Sequence, residues 1–171
     1  MLEIKTCGDS VLREKCVPVK EISQDILRAM TEMAEIMEQR QGVGLAAPQV
    51  GILQRFLVMK EVKNMRDPGI LRKMINPEIL SKSEKTCVWE EGCLSVMGPG
   101  DVLLFADVAR SENVTVRWTD EHGRPQTREF SGLPARIVQH EIDHLDGILF
   151  LDYLSSTKRE MMIRKIKKRK N

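Results

Sequence analysis

Gln139-His140-Glu141-Ile142-Asp143-His144 restricts this chain more than any other segment, because it sets two histidines four residues apart with a glutamate directly after the first. On a helix, positions i and i+4 lie on one face about one turn apart, so both imidazoles can reach one cation with the carboxylate beside it. Val138, Ile142 and Leu145 recur at helical spacing on a different face, and Gly147 stands where such a helix would stop. One face must therefore pack while the other meets a metal. The chemistry that this combination points to is metal-assisted hydrolysis.

Two histidines do not complete an open catalytic site, which ordinarily takes three protein ligands and leaves a position for water. Downstream, Asp146, Asp152 and Glu160 have no telling spacing, and no further histidine follows His144. Upstream, Glu91-Gly92-Cys93-Leu94-Ser95 sets a cysteine beside a glycine, where the backbone can bend closely and a thiolate can be aimed at a cation. Cys93 is the candidate third ligand. Gly42-Val43-Gly44-Leu45-Ala46-Ala47-Pro48-Gln49 is composed almost entirely of small residues that admit close approach to the backbone. A dinucleotide reading fails there, since Gly42 follows a helix pattern rather than a strand and the third glycine does not fit. Gly42 reads instead as a helix C-terminal cap. Gln49 is an uncharged amide donor suited to a developing oxyanion.

These three segments, in this order, resemble the signature motifs of the peptide deformylase family. The resemblance runs from Cys7-Gly8-Asp9-Ser10-Val11-Leu12-Arg13 to about Tyr153. It implies removal of the formyl group from the N-formylmethionine of new polypeptides, with release of formate. It further implies one divalent metal, commonly ferrous iron and replaceable by nickel, cobalt or zinc. Carried over by residue, it makes Cys93, His140 and His144 the ligands and Glu141 the general acid and base. The Gln49 side chain and the Leu94 backbone N–H become the oxyanion donors. Val43, Gly44 and Gly92 line the peptide channel through their backbone, while Leu133 and Ile137 form an apolar pocket for the methionine side chain; Ile137 also fits plain core. Some members sit on the ribosome through a basic carboxy-terminal helix. The chain departs from the pattern after Ser95, where the family commonly carries a short loop with a substrate-contacting arginine. Here Val96-Met97-Gly98-Pro99-Gly100-Asp101-Val102-Leu103-Leu104-Phe105 is longer and apolar, with no arginine before Arg110. That segment can reshape the channel, form an interaction surface or be a core strand.

The expected fold is α+β: a single domain with mainly antiparallel sheets around the central motif helix and a basic carboxy-terminal helix. At 171 residues with 42% hydrophobic content, one core of ordinary size is expected. Residues 1–157 read as the catalytic domain and 158–171 as a basic tail or helix. Ser23 caps a helix to about Arg40 with Ile26, Met30, Met33 and Met37 as its buried stripe. Strands fit residues 55–59 and 74–80, and residues 114–118 and 126–130 read as a hairpin around Glu121-His122-Gly123, with His122 facing solvent. The tail holds eight basic residues and one acidic, which leaves 19 basic and 24 acidic, or −5, for the rest of a chain of net charge +2. Such a tail suits either a solvated end or a contact with RNA.

No stretch approaches the roughly 20 apolar residues that cross a bilayer, and the amino terminus carries Glu3 and Lys5. A soluble cytoplasmic protein, bacterial or organellar in origin, is expected, with Cys7, Cys16, Cys87 and Cys93 as thiols. Two rival readings share part of the pattern. A zinc peptidase cutting internal bonds uses the helix motif without the cysteine and glycine segments. A silent metal-stabilised module that binds ribosomes has no need of a base at Glu141.

Overall fold

A computed structural model describes residues 2–64 and 66–169. The helix α1 (Gln24–Gln39) begins where Ser23 accepts a hydrogen bond from the Ile26 N–H, and Ile26, Met30, Met33 and Met37 are buried as their spacing demands. Its end differs from expectation. Gln41 takes the left-handed conformation with φ of 55°, its N–H bonding to Glu38 O and the Gly42 N–H to Met37 O. That is a Schellman closure with glutamine in the position glycine usually fills. Gly42 is therefore not the left-handed cap; it is small because a Cβ there would sit 3.0 Å from Leu94 Cδ1.

Five strands form one antiparallel sheet in the order β1 (Gly44–Ala46), β2 (Phe56–Glu61), β3 (Ile70–Lys82), β6 (Asn113–Thr119) and β7 (Pro125–Ser131). Side chains alternate across it. Phe56, Val58 and Ile75 pack with α1, while Leu57, Met59, Met74, Val114 and Val116 pack with the second helix, α2 (Leu133–Leu145). The two helices thus cover opposite faces of one sheet. Strands β4 (Thr86–Met97) and β5 (Leu103–Ser111) form a separate two-stranded sheet.

The expected strands at 55–59 and 74–80 fall in β2, which starts one residue later at Phe56, and within β3, and the expected hairpin is β6–β7, with His122 exposed in its turn. The apolar run after Ser95 is not a core strand. It ends β4, turns at Pro99–Asp101 and starts β5, leaving Val102 61% and Phe105 52% exposed.

Pro134 lies in the first turn of α2, where its missing N–H leaves no gap in the ladder. Gly147 ends that helix in the left-handed conformation, with Ile148 N–H bonding to Asp143 O and Gly147 N–H to His144 O. The third helix, α3 (Ser156–Arg169), starts two residues before the expected basic tail. It buries Met162 and Ile166 in a core with Leu12, Val96, Val108 and Phe150. The expected basic carboxy-terminal helix is present and packed as far as Arg169, and the alternative of a solvated end does not hold there; Lys170 and Asn171 lie outside the described residues. Among the described residues no helix is long and apolar enough to cross a membrane.

Candidate active site and metal centre

Helix α2 is buried on nearly every side, so each polar group that it carries inward needs a partner or a task. His140 and His144 meet with ring centroids 4.9 Å apart, and Cys93 of β4 brings its Sγ to 3.2 Å from His144 Nε2. Donor atoms of Cys93, His140 and His144 all lie within 4.8 Å of one another. Sulfur and nitrogen ligands on one tetrahedral cation stand roughly 3.5 Å apart, given bonds of about 2.3 and 2.0 Å, so the cluster fits a single divalent ion.

The strand delivers Cys93 because its pairing fails there. The β4–β5 register holds from Thr86↔Ser111 to Gly92↔Phe105, then resumes only at Met97↔Leu103. Residues 93–96 leave the ladder and turn into the core, all four of them buried, which frees the Leu94 N–H from strand pairing. Gln49 stands beside them on the 3-10 turn Ala47–Val50. Its Oε1 accepts from the Ala46 N–H at 2.8 Å, so its Nε2 is directed to Ser95 Oγ at 3.1 Å and Cys93 Sγ at 3.4 Å.

Behind His140 lies a group of charges to which the sequence motifs gave no role. Glu91 accepts from His140 Nδ1 at 2.9 Å, which turns Nε2 toward the cation position. Arg110 grips the same carboxylate through Nε at 2.6 Å and Nη2 at 3.0 Å and reaches Asp143 at 2.7 Å; Arg136 Nη1 closes on Glu91 from the other side. Burial would raise the Glu91 carboxyl, but the bonds from His140 and Arg110 outweigh it and hold it down to about 2. Arg110 is 4% exposed and fully engaged, so it is no substitute for a substrate-contacting arginine. A signal for Glu91 was present: it lies two residues before Cys93 on one strand, hence on the same face.

Burial pushes Glu141 up to about 7, ahead of the charges of His140 and Arg110 that pull it down. Burial likewise drives His144 well below its ordinary range. Burial also opposes a charge on His140, but Cys93 and Glu91 outweigh it and hold that ring well above its ordinary range. Glu141 Oε2 and His144 Nδ1 are buried without hydrogen-bond partners. Gly44 leaves room for that carboxylate: a Cβ on it would come within 2.7 Å of Glu141 Cδ.

A cavity of about 230 Å³ opens beside the donors. Val43, Gly44, Gly92 and Leu94 line it with Gln49, Cys93, His140 and Glu141, and Leu133 and Ile137 supply apolar wall. Every site residue expected from the sequence borders this cavity except His144, which closes the donor cluster behind it. Leu103 and Phe105 also border it, so of the three roles open to the segment after Ser95 its end takes that of shaping the channel.

Comparison with known proteins identifies the family. A model of the Polypeptide deformylase family matches residues 1–160. The chain belongs to that family. It is 46% identical over 169 residues to a peptide deformylase of Alkalilimnicola ehrlichii, covering 98% of this chain and 90% of that one. The solved peptide deformylase of Legionella pneumophila superposes with a TM-score of 0.88 at 38% identity, covering 99% of this chain and 95% of that one. The peptide deformylase of Ehrlichia chaffeensis, solved in complex with actinonin, gives 0.90 at 38% identity, covering 100% and 98%. The family is metal-dependent and removes the formyl group from nascent peptides, and Cys93, His140 and His144 form a metal-capable group in this chain.

Proposed function

We propose that this chain releases formate from the N-terminal formylmethionine of nascent polypeptides, with Cys93, His140 and His144 holding Fe2+ and Glu141 moving the proton. The observation that carries the assignment of roles is the convergence of three donors, an unpartnered buried carboxylate and an aimed amide on one cavity. When bound, the cation supplies Lewis acidity, which acidifies water and polarises a carbonyl oxygen. Zn2+, Ni2+ or Co2+ can occupy the same soft donor set, and a thiolate in that set makes the iron form sensitive to oxygen.

Glu141 Oε2 takes a proton from the attacking water and returns it to the departing amine. Gln49 Nε2 and the Leu94 N–H donate to the oxygen of the formyl group as charge builds on it. Val43, Gly44 and Gly92 meet the peptide through their backbone, and Leu133 and Ile137 receive the methionine side chain. Residues 1–157 form the catalytic unit. The tail 158–171 gives the chain a basic surface for ribosomal RNA in the cytoplasm, supported by the packed helix α3 with Arg164, Lys165, Lys167 and Lys168 on its exposed side.

The test is formate release from a formyl-methionyl tripeptide by anaerobically purified, iron-loaded protein, beside Glu141→Ala. Formate from the first and a loss of at least about a hundredfold in the second is the expected result. Shorter peptides in place of formate, or no product from a protein with one metal per chain, would overturn it.

A further inference from the structure

A second groove, of about 250 Å³, lies on the far side of Phe105, between β5 and α3. Glu90 and Phe105 border both this groove and the catalytic cavity, so the two meet at one aromatic ring. The ring stands directly over Gly92, where an added Cβ would meet Phe105 Cε1 at 2.5 Å. Leu154 and Met162, each 8% exposed, close the floor, while Phe105 and Met161 remain 52% and 56% exposed on its two walls. Large apolar groups left in water on both sides of one groove mark a surface that something covers.

Charge gives the groove a second property. Glu90 and Asp107 stand on the β4–β5 wall and Lys158 and Lys165 on the α3 wall, and among the described residues none of them makes an ion pair. The far wall is fixed rather than loose: α3 is rooted by Met162 and Ile166, and Arg169 Nε pairs with Asp101 at the β4–β5 turn at 2.5 Å.

We propose that this groove is a second binding site for the substrate chain itself, taking the apolar residues that follow the first few after formylmethionine. The proposal rests on the function proposed above, since a polypeptide whose formyl end lies at the donors must leave the cavity past its rim. Phe105 and Glu90 are the part of that rim that leads to another groove. Three extended residues carry a chain about 10 Å from its formyl end. The fourth residue onward then lies between Phe105 and Met161.

The experiment compares kcat/KM for a formyl-methionyl tripeptide and two octapeptides that carry leucine or serine at positions four to seven. The expected ratio of leucine octapeptide to tripeptide is about tenfold, with the serine octapeptide near the tripeptide. Met161→Glu should bring the leucine ratio toward one. Lys165→Glu, at an exposed position, should shift preference from acidic toward basic residues at positions four to seven by about fivefold. An active tripeptide with a ratio of one in the unaltered protein, as expected if another partner fills the groove, would overturn the proposal. So would a ratio and charge preference that persist in both variants. An inactive tripeptide instead overturns the underlying function.

Discussion

Strands β6 and β7 pair residue for residue from Asn113↔Ser131 to Thr119↔Pro125, whereas the β4–β5 ladder breaks after Gly92↔Phe105 and skips to Met97↔Leu103. The first hairpin presents Val114, Val116, Trp118 and Phe130 to the core beneath α2. The second releases a stretch of strand, and that stretch carries the thiol and the free backbone donor. Regular pairing satisfies the backbone and leaves it inert; interrupted pairing makes backbone groups available for chemistry, provided something else holds the segment. In β4 that support is Glu91 with its two arginines, together with Gln49 and Ser95.

The largest expected effect comes from removing that support. Glu91→Ala leaves Arg110 and Arg136 buried beside an absent carboxylate, which should cost about 3–5 kcal/mol in urea unfolding of the metal-free protein. It also strips His140 of its Nδ1 acceptor, so competition titration with a chelator should show metal affinity about 10–100-fold weaker. Glu91→Gln keeps the shape and an acceptor, and should lose affinity while unfolding less easily than the alanine form. Unchanged affinity in both variants would make this cluster structural only.

A smaller change tests geometry without charge. In Gly44→Ala the new methyl displaces the Glu141 carboxylate, and kcat/KM for a formyl-tripeptide should fall about a hundredfold while unfolding shifts by less than about 2 kcal/mol. Full activity would mean that Glu141 has room to work elsewhere.

The contrast between the two hairpins also governs how much was legible in the sequence. The β6–β7 pair, α1 and α2 follow from local periodicity, and periods of 2 and 3.6 need only neighbours along the chain. The metal-capable triad was legible because His140 and His144 share a helix face and Cys93 sits in a distinctive pentapeptide. What stayed hidden depends on distant partners: Glu91 bonds to Arg110 across 19 residues and to Arg136 across 45. The register break has no local signature beyond Gly92, and Gln41 in a glycine position hides the closure of α1. The sequence left Phe105 and Leu103 open between channel, interaction surface and core strand, and the turn at Pro99–Asp101 places them on the cavity.

Within the regular hairpin, Asp120 holds the turn by accepting from the backbone N–H groups of His122 and Arg124, each at 2.9 Å, and from the side chains of Arg124 and Gln126. Asp120→Ala should cost about 1–2 kcal/mol and leave deformylation alone. Burial raises this carboxyl but the hydrogen bonds outweigh it, bringing it from 3.8 down to about 2. A folded-state value below the unfolded one stabilises above about pH 4 and loses that contribution as pH falls toward about 2. The stability gap between Asp120 and alanine forms should therefore be full at about pH 7 and narrower at about pH 3; a gap independent of pH would place its origin outside the carboxylate.

The smallest expected effect comes from a pair whose geometry matches the strongest one. Arg117 Nη2 donates to Glu78 at 2.6 Å across β3 and β6, the same separation as Arg110 Nε to Glu91. The surroundings differ: the Glu78 and Arg117 side chains are 57% and 58% exposed, against 5% and 3% for Glu91 and Arg110. Water solvates either exposed partner when the other is removed, so Glu78→Ala should shift unfolding by no more than about 0.5 kcal/mol, and less in high salt. A loss comparable to that of Glu91→Ala would show that contact distance, not burial, sets the strength of these pairs, and the firmness of the broken hairpin would then need a cause other than the burial of its arginines.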